Sequence, residues 1–178
     1  MVKATGKLAL KGRNHSDNLQ TPMWPIVSLM NALPEPLKDN SIVWEPACGT
    51  GNIVKYLKQM NQKCFGTDIE TGFDFLQDVN DPDNFDYIIS NPPFSLKDPF
   101  LERCYAYGKP FALLLPITAF DGAKRRAMFK EHGMQLVVLP RRVDFEFPDG
   151  MYKGSPHFFC SWFTWGFNFD KDITYATN

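Results

Sequence analysis

Short apolar runs that close on a polar or acidic residue alternate along this chain with segments whose apolar positions recur at helical spacing. Ser41-Ile-Val-Trp-Glu45, Cys64-Phe-Gly-Thr-Asp68, Asp86-Tyr-Ile-Ile-Ser90, Phe111–Leu115 and Leu136-Val-Val-Leu139 read as buried strands. The aromatic-rich run His157-Phe-Phe-Cys-Ser-Trp-Phe-Thr-Trp165 reads as the last strand, most of it core. Thr21-Pro22 predicts a helix start, with Thr21 as N-cap and Pro22 in the first helical position, running to about Leu33 before Pro34 and Pro36. Asn52 to Met60 puts Ile53, Tyr56, Leu57 and Met60 on one helical face. Two more helices are predicted, over Leu96–Tyr107 and Asp121–His132, the second stopping at Gly133. Strands that are apolar on both faces belong to parallel sheets covered on both sides. The predicted fold class is therefore α/β: a single doubly wound, mostly parallel sheet with helices on both faces and an antiparallel last strand.

Length agrees with one domain over 1–178, preceded by an irregular arm over 1–20 and interrupted by no repeat or linker. Hydrophobic residues at 44% and charged residues at 22% exclude wholesale disorder. The longest apolar runs are far short of a membrane span, and the first residues lack the apolar stretch of a signal peptide. Cys48, Cys64, Cys104 and Cys160 form no C-x-x-C pair, and His15, His132 and His157 lie at ligand spacing from none of them. We therefore expect no metal site, and reduced thiols in a cytoplasmic protein. Net charge is −1, but its distribution is uneven. Seven acids and no Lys or Arg lie between Asp68 and Asp86, while six basic residues and one acid lie between Lys124 and Arg142. An acidic centre between basic flanks suits a cationic ligand held beside an anionic polymer.

In doubly wound sheets ligands bind beyond the carboxyl ends of the strands. Glu45-Pro-Ala-Cys-Gly-Thr-Gly51 joins a strand to a helix through Ala47, Cys48, Gly49 and Gly51, small residues that let a ligand approach the backbone. Asp68 closes the next strand and suits the two hydroxyls of a ribose. The triphosphate loop is absent, position 54 is Val rather than the third glycine of dinucleotide sites, and no basic residue meets a phosphate here. Glu45, Asp68 and Asp74 instead gather acids, which fits a nucleoside cofactor carrying positive rather than phosphate charge, as S-adenosyl-L-methionine does with its sulfonium and ammonium. Asn91-Pro-Pro-Phe94 adds a side-chain acceptor, stiff backbone with free carbonyls at Pro92 and Pro93, and a flat apolar ring. Acceptors beside a stacking ring make a trap for a planar base with an exocyclic amine.

Taken in order, these motifs resemble the class I S-adenosylmethionine-dependent methyltransferases, most of all the N6-adenine DNA methyltransferases, the compact phage and prophage types included. Asn91-Pro-Pro-Phe94 resembles the family's [DNS]-P-P-[YFW] catalytic motif, and Glu45 to Gly51 its cofactor turn, with Ala47 where many members have glycine. Gln20-Thr21-Pro22 resembles the segment that holds the cofactor carboxylate; Asp68, followed by Ile69, the ribose acid; and Asp74-Phe75 the pair on the cofactor adenine. The resemblance implies a Rossmann-like methyltransferase fold, methyl transfer to N6 of adenine, S-adenosyl-L-homocysteine as product and no metal. It implies nucleic acid as partner, DNA ahead of RNA, with Lys124, Arg125, Arg126, Arg141 and Arg142 as candidate phosphate contacts. Enzymes acting on RNA amines (guanine or adenine) or on protein glutamine share the catalytic motif, and a non-catalytic cofactor-binding module is the further alternative. No insertion is large enough for a separate target-recognition domain. Specificity then falls to the loops at 1–20, 95–101, 116–127 and 140–156, or to a partner.

Overall fold

In the computed structural model, which describes residues 19–77, 82–146 and 158–177, seven strands make one sheet in the order β2-β1-β3-β4-β6-β5-β7. The strands β1 (Ile42–Glu45), β2 (Lys63–Gly66), β3 (Tyr87–Ser90) and β4 (Phe111–Pro116) pair in parallel. Strand β6 (Cys160–Trp165) runs antiparallel between β4 and β5 (Gln135–Val138). This is the predicted doubly wound sheet with its antiparallel strand, but that strand is not the last. A three-residue β7 (Ile173–Tyr175) follows it and pairs in parallel with β5 at the sheet edge. With Ile173 half exposed and Tyr175 75% exposed, no buried apolar run announces it. The predicted irregular arm lies outside the described residues up to position 18, as does His157.

Helices α1 (Met23–Ala32) and α2 (Asn52–Gln59) cover one face of the sheet; α3 (Lys97–Tyr107) and α4 (Ala123–His132) cover the other. Strand alternation assigns each side chain to its face. Along β4, Ala112 and Leu114 pack with Ile26, Leu29 and Leu57, whereas Phe111, Leu113 and Leu115 pack with Phe100, Leu101 and Met128. Along β6, Trp162 belongs to the first layer and Phe163 to the second, each fully buried. The predicted start of α1 needs correction. The helix begins at Met23, and extended Pro22 (φ −68°, ψ 171°) occupies the cap position without a capping side chain. Thr21, 2% exposed, does not cap; its carbonyl accepts from Asn52 Nδ2 at 3.3 Å.

Strands β1, β3, β4 and β5 all run the same way, so the loops after them leave one edge of the sheet. The core holds that edge firmly. Trp44, fully buried next to Glu45, packs on Phe85 at 4.9 Å and Phe75 at 5.3 Å, and its Nε1–H donates to Thr67 Oγ1 at 2.9 Å. Truncating a buried tryptophan to alanine costs about 3–5 kcal/mol, and here would loosen the backbone that carries Glu45.

Candidate active site

Glu45 closes β1 with 1% of its surface exposed. Its Oε1 accepts from Ser90 Oγ, at the end of the adjacent β3, and from the Ala47 N–H at 3.2 Å. Its Oε2 is buried without a partner among the described residues. Burial pushes the carboxyl up to about 8; the bonds from Ser90 and Ala47 oppose the shift and the Asp68 charge adds to it. At neutral pH the group is therefore mostly protonated.

The turn after β1 is shaped from three directions. Gly49 adopts φ +51°, and a Cβ there would lie 2.6 Å from the Gln20 amide. The space that the sequence assigns to a ligand is thus filled at this glycine by Gln20, whose Oε1 accepts from Thr50 N and Oγ1 at 3.1 and 2.6 Å. Gln20 is itself fixed by two backbone bonds with Glu146, at 2.8 and 2.9 Å. Asp68, 3% exposed, lies deeper than the sequence suggests: its carboxylate accepts from the N–H groups of Gly49 and Glu70, both at 2.9 Å. The third glycine, missing at Val54, is supplied from elsewhere. A Cβ on Gly66 in β2 would come within 2.9 Å of Val54 Cγ2 and 2.7 Å of Cys48 Cβ. The strand therefore makes the room that a glycine in the helix would have made. Cys48 lines the site, but burial pushes its thiol up to about 11, with the Glu45 and Asp68 charges adding, so it stays protonated.

Two small clefts flank Ala47. One is polar and is lined by Gln20, Thr21, Glu45, Cys48 and Asn91. The other is mainly apolar and is lined by Ile69, Asp74, Leu76, Pro93, Leu96 and Phe75. Asp74 Oδ1 accepts from Leu76 N at 2.9 Å. Phe75 reaches this cleft only marginally, being 2% exposed with its ring 4.6 Å from that of Phe100. Pro22 caps α1 and lines neither cleft. In the loop after β3, Asn91 Nδ2 donates to the Leu19 carbonyl at 2.9 Å, and Oδ1 is buried without a partner among the described residues. Pro92 and Pro93 are buried, and Phe94 opens a 3-10 turn, Phe94–Leu96. Its ring stands edge-on to Phe145 at 6.0 Å and Phe158 at 5.4 Å, two supports that are far from it in sequence. Among the described residues no group of three His, Cys, Asp or Glu is placed to hold a metal, and no helix is long and apolar enough to cross a membrane.

The basic residues divide. Arg125 is not available to a phosphate: it is buried, its Nε donates to the Ala119 carbonyl, and its guanidinium pairs with Asp98 of α3. Lys124 pairs with Glu102 at 2.6 Å. Arg126 and Arg142 are exposed, the former donating to the Asp121 carbonyl at 2.9 Å. Arg141 lies over Trp24, 4.5 Å from the ring centroid. The first turn of α4 follows β4 and the Arg141-Arg142 loop follows β5, so these cations sit on the same edge as Asn91 and Glu45.

No protein-family model matches this sequence, and no curated protein does. Solved structures are similar in shape. The modification subunit of a presumed type I restriction enzyme from Vibrio vulnificus YJ016 aligns over 84% of this chain and 44% of its own, at 17% identity and a TM-score of 0.52. A presumed RNA methyltransferase from Pyrococcus horikoshii aligns over 92% and 97% at 14% identity and a TM-score of 0.46. A release-factor-specific protein-(glutamine-N5) methyltransferase from Alicyclobacillus acidocaldarius aligns over 92% and 98% at 17% identity and a TM-score of 0.43. The chain spans less than half the length of the Vibrio subunit, and at such identity the likeness is one of fold. Strand order, direction and this likeness together show a doubly wound, Rossmann-like α/β fold, similar in shape to that of the Vibrio subunit.

Proposed function

We propose that this chain transfers a methyl group from S-adenosyl-L-methionine to N6 of adenine in DNA, using the Asn91-Pro-Pro-Phe94 loop. The observation that carries this reading is the Asn91 amide. Its nitrogen is committed to the Leu19 carbonyl, which leaves the buried Oδ1 as an acceptor in want of a donor. An unpaired buried acceptor costs about 1–3 kcal/mol, which a substrate N–H would recover. Adenine N6 is a weak nucleophile because its lone pair is delocalised into the ring. Asn91 Oδ1 and the Pro92 carbonyl accept its two hydrogens and let the nitrogen pyramidalise, while Phe94, braced by Phe145 and Phe158, stacks on the base. The contribution is positioning and preorganised electrostatics.

The residues present fit the cofactor. Orphaned Glu45 Oε2 offers an acceptor to a cationic group, and the apolar cleft with Asp74 offers a slot for a purine carrying an amine. Asp68 lines neither cleft and is 3% exposed, so its part is to anchor the turn through the N–H groups of Gly49 and Glu70; spare acceptor capacity on its oxygens would serve ribose hydroxyls if the turn opens. When bound, S-adenosylmethionine supplies the methyl on a sulfonium leaving group, so the chain need supply no strong base. The polymer lies along Arg126, Arg141 and Arg142. Within 1–178, readout falls to the loops that leave the carboxyl edge of the sheet.

The test is incubation with methyl-labelled cofactor and a panel of duplex DNA, single-stranded DNA, RNA and protein, followed by nucleoside and amino-acid analysis. Label in N6-methyladenine of DNA is the expected result. Label confined to RNA or to glutamine would overturn the substrate, and cofactor binding without transfer to any of the four would overturn the enzyme.

A further inference from the structure

Beside the site, α1 and the loop after β5 form a shallow groove lined by Met23, Trp24, Val27, Ser28 and Arg141. Its place on the rim is fixed. Trp162 Nε1–H donates to the Pro25 carbonyl at 2.8 Å, tying the first turn of α1 to the part of β6 that pairs with the carboxyl end of β4. The floor is apolar, with Met23 39% exposed, and the wall is cationic. The Arg141 guanidinium lies on the Trp24 face at 4.5 Å, and more than half of its side chain remains exposed. Asp144 Oδ2 stands 3.8 Å from its Nη1, an ion pair too long for a hydrogen bond. Arg142, next along the chain, has no ion-pair partner among the described residues.

We propose that Trp24 and Arg141 form a plate that holds one nucleotide of the DNA strand next to the target adenine, an inference that rests on the DNA reading above. A planar cation lying on an indole presents a flat outer face on which a base stacks, and every base has such a face. The guanidinium edge takes the adjoining phosphate in a two-pronged contact. Apolar floor and positive wall complement a base and its phosphate together. Net charge is only −1, so attraction to the polymer has to come from local features of this kind.

The experiment compares wild type with Trp24→Ala, Trp24→Phe and Arg141→Lys. It reads affinity for an adenine-containing oligodeoxynucleotide, intrinsic fluorescence, cofactor affinity and thermal unfolding. Trp24→Ala should bind the oligonucleotide about tenfold more weakly, within the range for loss of one stacked base. Trp24→Phe should keep most of the affinity but lose the fluorescence change on binding, since Trp44 and Trp162 are fully buried and Trp165 stacks on Phe111 at the amino end of β4, the opposite edge of the sheet from the groove. Arg141→Lys should bind severalfold more weakly with an unaltered salt slope, because the charge stays and the plane goes. Cofactor affinity should be unchanged throughout. Wild-type oligonucleotide affinity in Trp24→Ala, from an enzyme that still methylates DNA, would overturn the plate and leave the function standing. A wild-type protein that methylates only RNA or peptide would overturn both.

Discussion

Replacing Glu45 by glutamine should flatten the pH dependence of folding stability. The native carboxyl holds its proton to about 8, against an ordinary value of 4.5, chiefly because burial disfavours the anion. Between those limits the unfolded chain has released this proton and the native chain has not, so unfolding liberates a proton and rising pH favours it. The contribution is fully present below 4.5 and is lost as pH rises through about 8. A tenfold separation of acid constants is worth about 1.4 kcal/mol, so the whole span sets a ceiling of roughly 5 kcal/mol. Glu45→Gln keeps the shape and an acceptor for Ser90 Oγ and the Ala47 N–H, and places an amide where Oε2 is unpaired. Urea unfolding of both proteins from about pH 5 to about pH 9 isolates the effect, because every other titrating group cancels in the difference. The wild type should lose stability relative to the variant at up to about 1.4 kcal/mol per pH unit, levelling above about 8. Parallel curves would refute the reasoning and place an ionised, solvated carboxylate at the end of β1.

Cofactor affinity should rise with pH towards about 8 in the wild type, since a bound cation favours the Glu45 anion and expels its proton; calorimetry should show no such rise in Glu45→Gln. Asn91→Ala should bind cofactor normally yet lose most methyl transfer, as single-turnover assays with labelled cofactor will show. Asp68→Ala should weaken cofactor binding by roughly 1.5–3 kcal/mol, and should lower the melting temperature as well, because it strands the N–H groups of Gly49 and Glu70. Arg125→Ala should destabilise the fold by roughly 1.5–3 kcal/mol, the range for hydrogen bonds to a charged group, since Asp98 keeps about a third of its side chain in water, and leave the salt dependence of DNA binding unchanged. Arg142→Ala should leave stability unchanged and reduce the slope of log affinity against log salt by roughly 0.7–0.9.

The strand ends were legible where a short apolar run is stopped by one polar residue: Glu45 and Ser90 close β1 and β3 as expected, whereas β2 ends at Gly66 and Asp68 lies two residues past it, capping a 3-10 turn. The turn was legible in kind and misread in detail. Gly49 gives its space to Gln20, and the room missing at Val54 comes from Gly66, a residue with no local mark of that role. Linear spacing cannot show which of two elements yields where they touch. The basic stretch misled for a similar reason. Three adjacent cations look alike in a string, but the helix turns Arg125 inward onto Asp98 and leaves Arg126 outside. Strand β7 was missed because it is an edge of three residues that buries little. Phe145 and Phe158, which brace Phe94, carry no pattern beyond being aromatic.

The paired backbone of Gln20 and Glu146 also sets an order on synthesis. Gln20, which contacts the turn after β1, is made early in the chain, yet its two main-chain partners arrive only when Glu146 has been made. Closing so long a loop is entropically unfavourable and comes after local structure has formed. While the chain emerges from the ribosome, the parallel half of the sheet can assemble around Glu45 with the Gln20 strap still open. We expect a stage in which the turn after β1 exists and the Leu19 carbonyl that Asn91 bonds to is not yet in place. On the function proposed above, competence to bind would precede competence to react, and the second would wait on the segment that carries Glu146.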